Sequence, residues 1–368
     1  MSQRVLIAPD KFKGTLSASA AANAIARGWR SVRPGDMLEL VPMSDGGDGF
    51  GEVLGKLHAS RERSVKTFDA ARRPCEPVWW FDPETSTAII ESARCIGLAM
   101  LPPGKFHPFQ LDTFGLGTLI HGAVKSGARR CIIGVGGSAT NDAGVGLARA
   151  LGWKFLSKDG GEIGSWTLLH KVATVVPPAK RKPFAQMIVA TDVTNPLLGP
   201  KGCSRVYGPQ KGLRPEDMET AEAALKGLVA AMKKIGLDYA KEPGAGAAGG
   251  LGYALMAFCG AKRVSGFEVF AKESDLKKKI AAADLVLTGE GSIDDQTRMG
   301  KGVGELALLC TKLKRPVYGL AGIVQPAKKK DIFTGTDELV RLTTPEEAKA
   351  HPAEWLSKLA AQLAGKIG

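Results

Sequence analysis

Short apolar runs separated by glycine-rich polar loops set the rhythm of this chain. Residues 4–8 (RVLIA) form an apolar, β-rich run, the polar loop PDKFKGT follows, and an alanine-rich stretch from Ser17 to Trp29 predicts a helix. MLELVPM predicts a second strand, ending in the loop SDGGDG. The same grammar returns after residue 282. There ADLVLTGEG reads as a strand entering a glycine-rich loop and GVGELALLCTKLK as a helix. PVYGLAGIV and DELVRLTT read as strands, and TTPEEAKAHPAEWLSKLAAQLAGKIG as a helix opened by proline and running to the end. Strand, loop, helix, strand in this order implies a parallel sheet with helices on its faces.

Two early and three late strands would make one five-stranded doubly wound sheet. The predicted fold class is therefore α/β with two domains. A Rossmann- or flavodoxin-like domain uses residues 1–70 and 282–368, and an α/β domain of residues 71–281 is inserted between them. Contiguous halves would give the same local pattern. The middle has a different texture: strands PVWWFD and STAIIES, helix FGLGTLIHGAVKSG, strand RRCIIGV, and a long helix PEDMETAEAALKGLVAAMKKIG between two glycine-rich segments. Trp79 and Trp80 read as core or domain-interface residues. No repeat of fixed period is visible.

Length agrees with two domains, since 368 residues exceed one ordinary core. The hydrophobic share of 44% and charged share of 24% are those of a soluble globular protein. No apolar run approaches the roughly 20 residues needed to cross a bilayer, and MSQRVLIAPD does not read as a secretion signal. The six cysteines are scattered without a C-x-x-C pair, which argues against a disulfide framework or zinc site and predicts a cytoplasmic address. A net charge of +13 raises the alternative of a basic nucleic-acid-binding protein. The cations are spread along the chain, however, and the runs Lys277–Lys279 and Lys328–Lys330 have no aromatic neighbours to stack on bases. They read as solvated faces, and the diffuse field would attract anionic small molecules.

Five loops combine glycine with Asp, Asn, Ser or Lys: 10–14, 44–49, 134–146, 191–212 and 289–296. Such loops gather at the carboxyl ends of strands, where open α/β sheets bind ligands. Gly134-x-Gly136-x-x-Ala139 follows a strand, with Asp159 about 20 residues on, and so formally matches a dinucleotide fingerprint. That makes a nicotinamide-dependent 2-hydroxyacid oxidoreductase the runner-up enzyme. A second G-x-G-x-x-G, Gly244 to Gly249, lacks a preceding strand, and Gly300-Lys301 is followed by Gly302, so no P-loop is present. The histidines show no metal-ligand spacing. Carboxylates recur at the loops: Asp10, Asp45, Asp48, Asp142, Asp192, Glu290, Asp294 and Asp295. Any one of them is as readily a helix cap or an Asx turn. Together with Lys13, Lys211 and the glycines, the set matches what phosphoryl transfer needs: acids for Mg²⁺ and a proton, cations and N–H groups for phosphate.

The segments IAPDKFKGTLSA, SDGGDG, GVGGSATNDAG, ATDVTNPLLG, YGPQKG, GAGAAGGLG, and TGEGSIDDQT followed by GK resemble the bacterial type I glycerate kinase family, in the same order, from Val5 to about Gly322. The resemblance implies phosphorylation of D-glycerate by ATP with Mg²⁺, usually to 2-phosphoglycerate, with 3-phosphorylation the alternative. It also implies a Rossmann-like domain built from both ends with an α/β insertion. On that basis the site is expected in the cleft between the domains. Asp192 is the candidate base, Asp45 competes for that role, and Lys13 joins them in catalysis. Gly136, Gly137, Ser138 and Asn141 would cradle nucleotide phosphates; Asp10, Asn195 and Lys211 would hold substrate; Glu290 and Asp294 would hold Mg²⁺. Lys11 stands where the family usually has a small residue, Asp48 for glutamate, Phe50 for threonine and Ala143 for glycine. A homodimer stays open.

Overall fold

The computed structural model describes residues 2–326 and 331–367. The basic run Lys328–Lys330 lies outside the described residues. Strands of the two main sheets are, in chain order, β1 Arg4–Ile7, β2 Met37–Leu40, β3 Arg61–Ser64, β4 Val78–Asp82, β5 Thr87–Glu91, β6 Arg130–Gly134, β7 Gln186–Ala190, β8 Lys262–Val264, β9 Leu285–Ile293, β10 Val317–Val324 and β11 Gly335–Glu338. Contacts divide the chain into two compact units, Met1–Asp45 with Phe267–Gly368, and Gly46–Gly266.

The first unit is an α/β layer structure made from both chain ends. Its 5-stranded sheet runs β11-β10-β9-β1-β2 and every pairing is parallel. The apolar strand residues Val5, Ile7, Leu285, Leu287 and Leu320 are buried against helices. Helix Ala18–Val32 starts where the Ser17 hydroxyl accepts the Ala20 N–H at 3.2 Å. Its Ala21, Ala22, Ile25 and Trp29 face the core, which it shares with Leu356, Leu359 and Leu363 of helix Pro352–Lys366. Each large apolar side chain buried this way contributes about 1.5–3 kcal/mol. The C-terminal helical stretch is broken in two, Pro345–Ala350 and Pro352–Lys366. His351 precedes a proline, whose ring excludes the helical conformation before it, and it adopts φ −127°, ψ 52°. DELVRLTT likewise ends as a strand at Glu338 and turns into a short 3₁₀ helix, Leu339–Arg341.

The second unit carries a 6-stranded sheet, β8-β7-β6-β5-β4-β3. The run β5 to β8 is parallel, and β3 and β4 are antiparallel additions at one edge. Ile90, Cys131, Ile133 and Val189 pack with Leu116 and Ile120 of helix Phe114–Lys125 and Leu255 and Phe258 of helix Ala247–Cys259. The divisions at 45/46 and 266/267 stand where the sequence suggested 70/71 and 281/282. Helix Phe50–Leu57 lies on β4 and β5, with Gly51 and Gly55 set flat on the buried Trp80 ring, and β3 pairs with β4. Leu276–Ala282 packs on β1 and so goes with the first unit. Among the described residues no helix is long and apolar enough to cross a membrane. Of the basic run Lys277–Lys279, two members ion-pair on the helix surface, Lys278 with Asp275 at 3.7 Å and Lys279 with Glu39.

Candidate active site

In the first unit, acids collect at the carboxyl ends of parallel strands, where helices and loops diverge and leave room for ligands. Asp10 follows β1, its backbone N–H held by the Gly289 carbonyl at 2.8 Å. Asp45 lies beyond β2, Glu290 sits in β9 and Asp294 closes that strand. Burial first, and then the charges of Asp10, Asp294 and Asp45, push the Glu290 carboxyl up to about 7. The Thr297 hydroxyl donates to Glu290 Oε1 at 2.8 Å and opposes that rise. Asp294 caps the next helix, accepting N–H groups of Gln296 at 2.8 Å and Thr297 at 3.1 Å. Lys13 lies on the exposed turn after β1.

In the second unit the loop after β6 is folded tightly and bound to helix Cys203–Lys211. Lys211 is only 6% exposed, yet its Nζ donates to Ser138 Oγ at 2.9 Å and to the Thr140 carbonyl at 2.7 Å. An ammonium has three donors, so one N–H remains for a ligand among the described residues. Burial lowers the Lys211 pKa to about 8, against the opposing pull of Cys203 and Asp142. Asn141 is fully buried; its Nδ2 donates to Ser204 Oγ at 2.9 Å, and its Oδ1 has no hydrogen-bond partner among the described residues. Gly137 needs φ +74°, and a Cβ there would stand 2.6 Å from Asp48 Oδ1. The glycine therefore lets the loop and the Asp48 carboxylate lie side by side.

Other sequence candidates turn inward. Asp142 is fully buried and accepts from Thr113 N and Oγ1, Gly144 N and Gly146 N, at 2.8–3.1 Å. It organises the loop's own return, and burial raises its pKa. Segment 244–252 is its buttress: Gly249 and Gly250 take left-handed φ values of 69° and 88°, and the Gly249 carbonyl accepts the Ala143 N–H at 3.1 Å. Asn195 spends both ends of its amide locally, on the Lys201 carbonyl at 2.9 Å and the Tyr207 hydroxyl at 2.8 Å. Asp192 is different. It is exposed just beyond β7 and accepts the Gly266 N–H at 2.8 Å. Glu91, at the end of β5, escaped the sequence reading; its two oxygens accept N–H groups of Gly49 at 3.0 Å and Gly51 at 3.1 Å. It pins the start of helix Phe50–Leu57, and only its place at a strand end could have signalled it.

A cavity of about 850 Å³ opens beside this loop. Gly137, Lys211, Asp48 and His107 line it together with Leu98 and Phe106. His107 is held by Asp217 through Nε2 at 3.0 Å and accepts the Phe109 N–H on Nδ1 at 3.3 Å. The structure thus joins Gly136, Gly137, Ser138, Asn141 and Lys211 in the second unit. It gathers Asp10, Asp45, Glu290 and Asp294 in the first. The loop 44–49 spans the division between units.

In comparisons with known proteins, residues 5–367 match the model of the glycerate kinase family. The chain belongs to that family. A glycerate kinase of Bacillus subtilis is 36% identical over 99% of this chain and 97% of its own. A glycerate 2-kinase of Escherichia coli is 39% identical over 87% of this chain and 85% of its own. A crystal structure described as that of a glycerate kinase 2 from Salmonella typhimurium LT2 superposes with a TM-score of 0.87 at 33% identity, covering 100% of this chain and 98% of that one. The enzyme is a glycerate kinase, a phosphotransferase that uses ATP. Oxidoreductase and nucleic-acid readings give way to it. The residues behind the former are explained locally: after Gly136 the chain reaches no helix until Val145, and Asp159 bonds Ser157 on an exposed turn.

Proposed function

We propose that this glycerate kinase transfers the γ-phosphoryl group of ATP to the 2-hydroxyl of D-glycerate, releasing ADP and 2-phosphoglycerate. The observation that carries the phosphoryl chemistry is Lys211, a buried ammonium bonded to a glycine-rich loop and lining a cavity. A buried cation with one N–H to spare is poorly solvated until an anion arrives, and its field acts at low dielectric. The regiochemistry rests on the Escherichia coli relative, a glycerate 2-kinase.

Each candidate then has a task. Gly136, Gly137 and Ser138 offer close backbone approach to phosphate, and Lys211 balances its charge. Asp192, exposed and held by the Gly266 N–H, takes the proton of the attacking hydroxyl. Asp45 is the competing base. As that proton leaves, the glycerate oxygen bonds to the γ-phosphorus and the bond to the ADP oxygen breaks. Lys13 and Asp10 would complete the substrate contacts, while Asn195, its amide already engaged by Lys201 and Tyr207, holds the shape of its own loop. Mg²⁺ keeps several waters and takes one or two carboxylates beside phosphate oxygens. Glu290 and Asp294 fit that modest demand, while among the described residues no three metal-binding side chains cluster. Burial raises Glu290 most, and the neighbouring charges of Asp10, Asp294 and Asp45 add to it; a divalent ion would offset that crowding. Bound there, the ion would neutralise phosphate charge during transfer.

The test is ADP release with D-glycerate, ATP and Mg²⁺, the product being analysed by phosphorus NMR. A 2-phosphoglycerate signal is expected. A 3-phosphoglycerate signal overturns the regiochemistry, and absence of ADP release from folded protein overturns the substrate.

A further inference from the structure

We infer that the apolar wall of the cavity beside Lys211, to which Phe106 and Leu98 belong, receives the purine base of the nucleotide, next to a phosphate site at Gly137, Ser138 and Lys211. The inference rests on the kinase reading above and adds where the nucleoside lies. About 850 Å³ is far more than a three-carbon acid needs and within the usual range for larger ligands. Besides its few polar groups the cavity presents Leu98, Leu101, Pro102, Pro103 and Phe106. Glycerate, polar at every carbon, would leave its groups unpaired against such a surface. A flat aromatic base suits it, because its faces want apolar or aromatic contact.

The wall is also built to hold its shape. The Arg73 guanidinium lies 5.5 Å from the centre of the Phe106 ring. Arg73 is itself fixed by Asp69 Oδ2 at 2.6 Å and the Met100 carbonyl at 2.9 Å. Both nitrogens of His107 are engaged within the protein, so the residue after Phe106 is anchored too. Most tellingly, the Leu98 N–H donates to the Gly137 carbonyl at 2.9 Å, and Gly97 forms a β-bridge with Ser138. The segment that supplies the wall is therefore bonded directly to the loop that would hold phosphate. Base and phosphate subsites adjoin on one rigid frame. Leu98, 39% exposed, otherwise offers an apolar side chain to water.

Calorimetric titration of the full-length protein with Mg·ADP and, separately, with inorganic tripolyphosphate tests this. Phe106→Ala should weaken ADP about tenfold, the worth of one base stack, and leave tripolyphosphate unchanged. Leu98→Trp, at a partly exposed position on the wall, adds bulk to the cavity and should do the same, with an unchanged melting curve as the check on folding. Loss of both ligands in equal measure, or full ADP affinity in both variants, overturns the base subsite while the kinase stands. A wild-type protein that binds no ADP overturns the kinase reading itself, and the subsite with it.

Discussion

The acidic strand ends of the first unit and the cation-backed loop of the second solve opposite electrostatic problems with the same physics. Removing a charged group from water favours its neutral form, so burial drives an acid up and a base down. Glu290 is pushed up to about 7 and Lys211 down to about 8. Each unit thus holds one group close to losing its charge near neutral pH, and each regains stability when a partner of opposite sign arrives. On the function proposed above, the acids would be met by a cation and the lysine by an anion. Asp192 in the second unit is an exposed carboxylate rather than a buried one, and it accepts the Gly266 N–H at 2.8 Å.

The largest effect should come from the choice of base, which decides whether the two regions really divide their labour. Asp192→Asn should lower kcat by about 10²–10⁴, the usual share of a positioned base, with an unchanged melting curve. Asp45→Asn, in the acidic unit, should cost much less. The reverse order in steady-state kinetics would move proton abstraction to the first unit and break the comparison.

Next in size is the lysine. Lys211→Met keeps the buried stem and removes the charge, so the loop loses its ties to Ser138 and Thr140 as well as its anion partner. A fall of about 10²–10³ in kcat/KM is expected, the scale for one transition-state donor. Wild-type kcat/KM should also decline as pH rises through about 8, where Lys211 loses its proton. A Lys211→Met enzyme with normal kcat/KM would leave the cavity without a phosphate role.

How much of this was legible beforehand depended on whether a signal was local. Strand–loop–helix grammar exposed the parallel five-stranded sheet, because each β1-like run carries its own apolar pattern and its own glycine exit. The continuous final helix failed at His351 because the periodic pattern runs across Pro352, although the proline itself was the warning. Trp80 hides the reason why residues 46–70 lie with the second unit: only packing shows Gly51 and Gly55 against its ring. Among the site candidates, Lys211 and the loop at 136–138 could be named from composition. Sequence could not separate Asp142, buried under four donors, from Asp192, exposed at the Gly266 N–H, since both are Asp in a loop after a strand. Glu91 had no glycine beside it and passed as the end of an apolar strand.

The smallest effect is the most direct check on the electrostatics of the acidic unit. Glu290 holds its proton in the folded state up to about 7, against an ordinary value of 4.5. Between those values the native state binds more protons than the unfolded chain, so this group's contribution to stability falls as pH rises and is fully lost above about 7. Glu290→Gln has no charge to bury. Without divalent ion, its melting temperature should therefore match wild type near pH 5 and exceed it by a few degrees at pH 8. Adding Mg²⁺ at pH 8 with nucleotide should raise the wild type more than the variant, because only the carboxylate gains a partner. The acidic limb of wild-type kcat/KM, rising through about 7, should flatten in the variant. A melting difference that stays constant from pH 5 to pH 8 would mean that Glu290 is ionised normally, and the symmetry between the two units would fail on its acidic side.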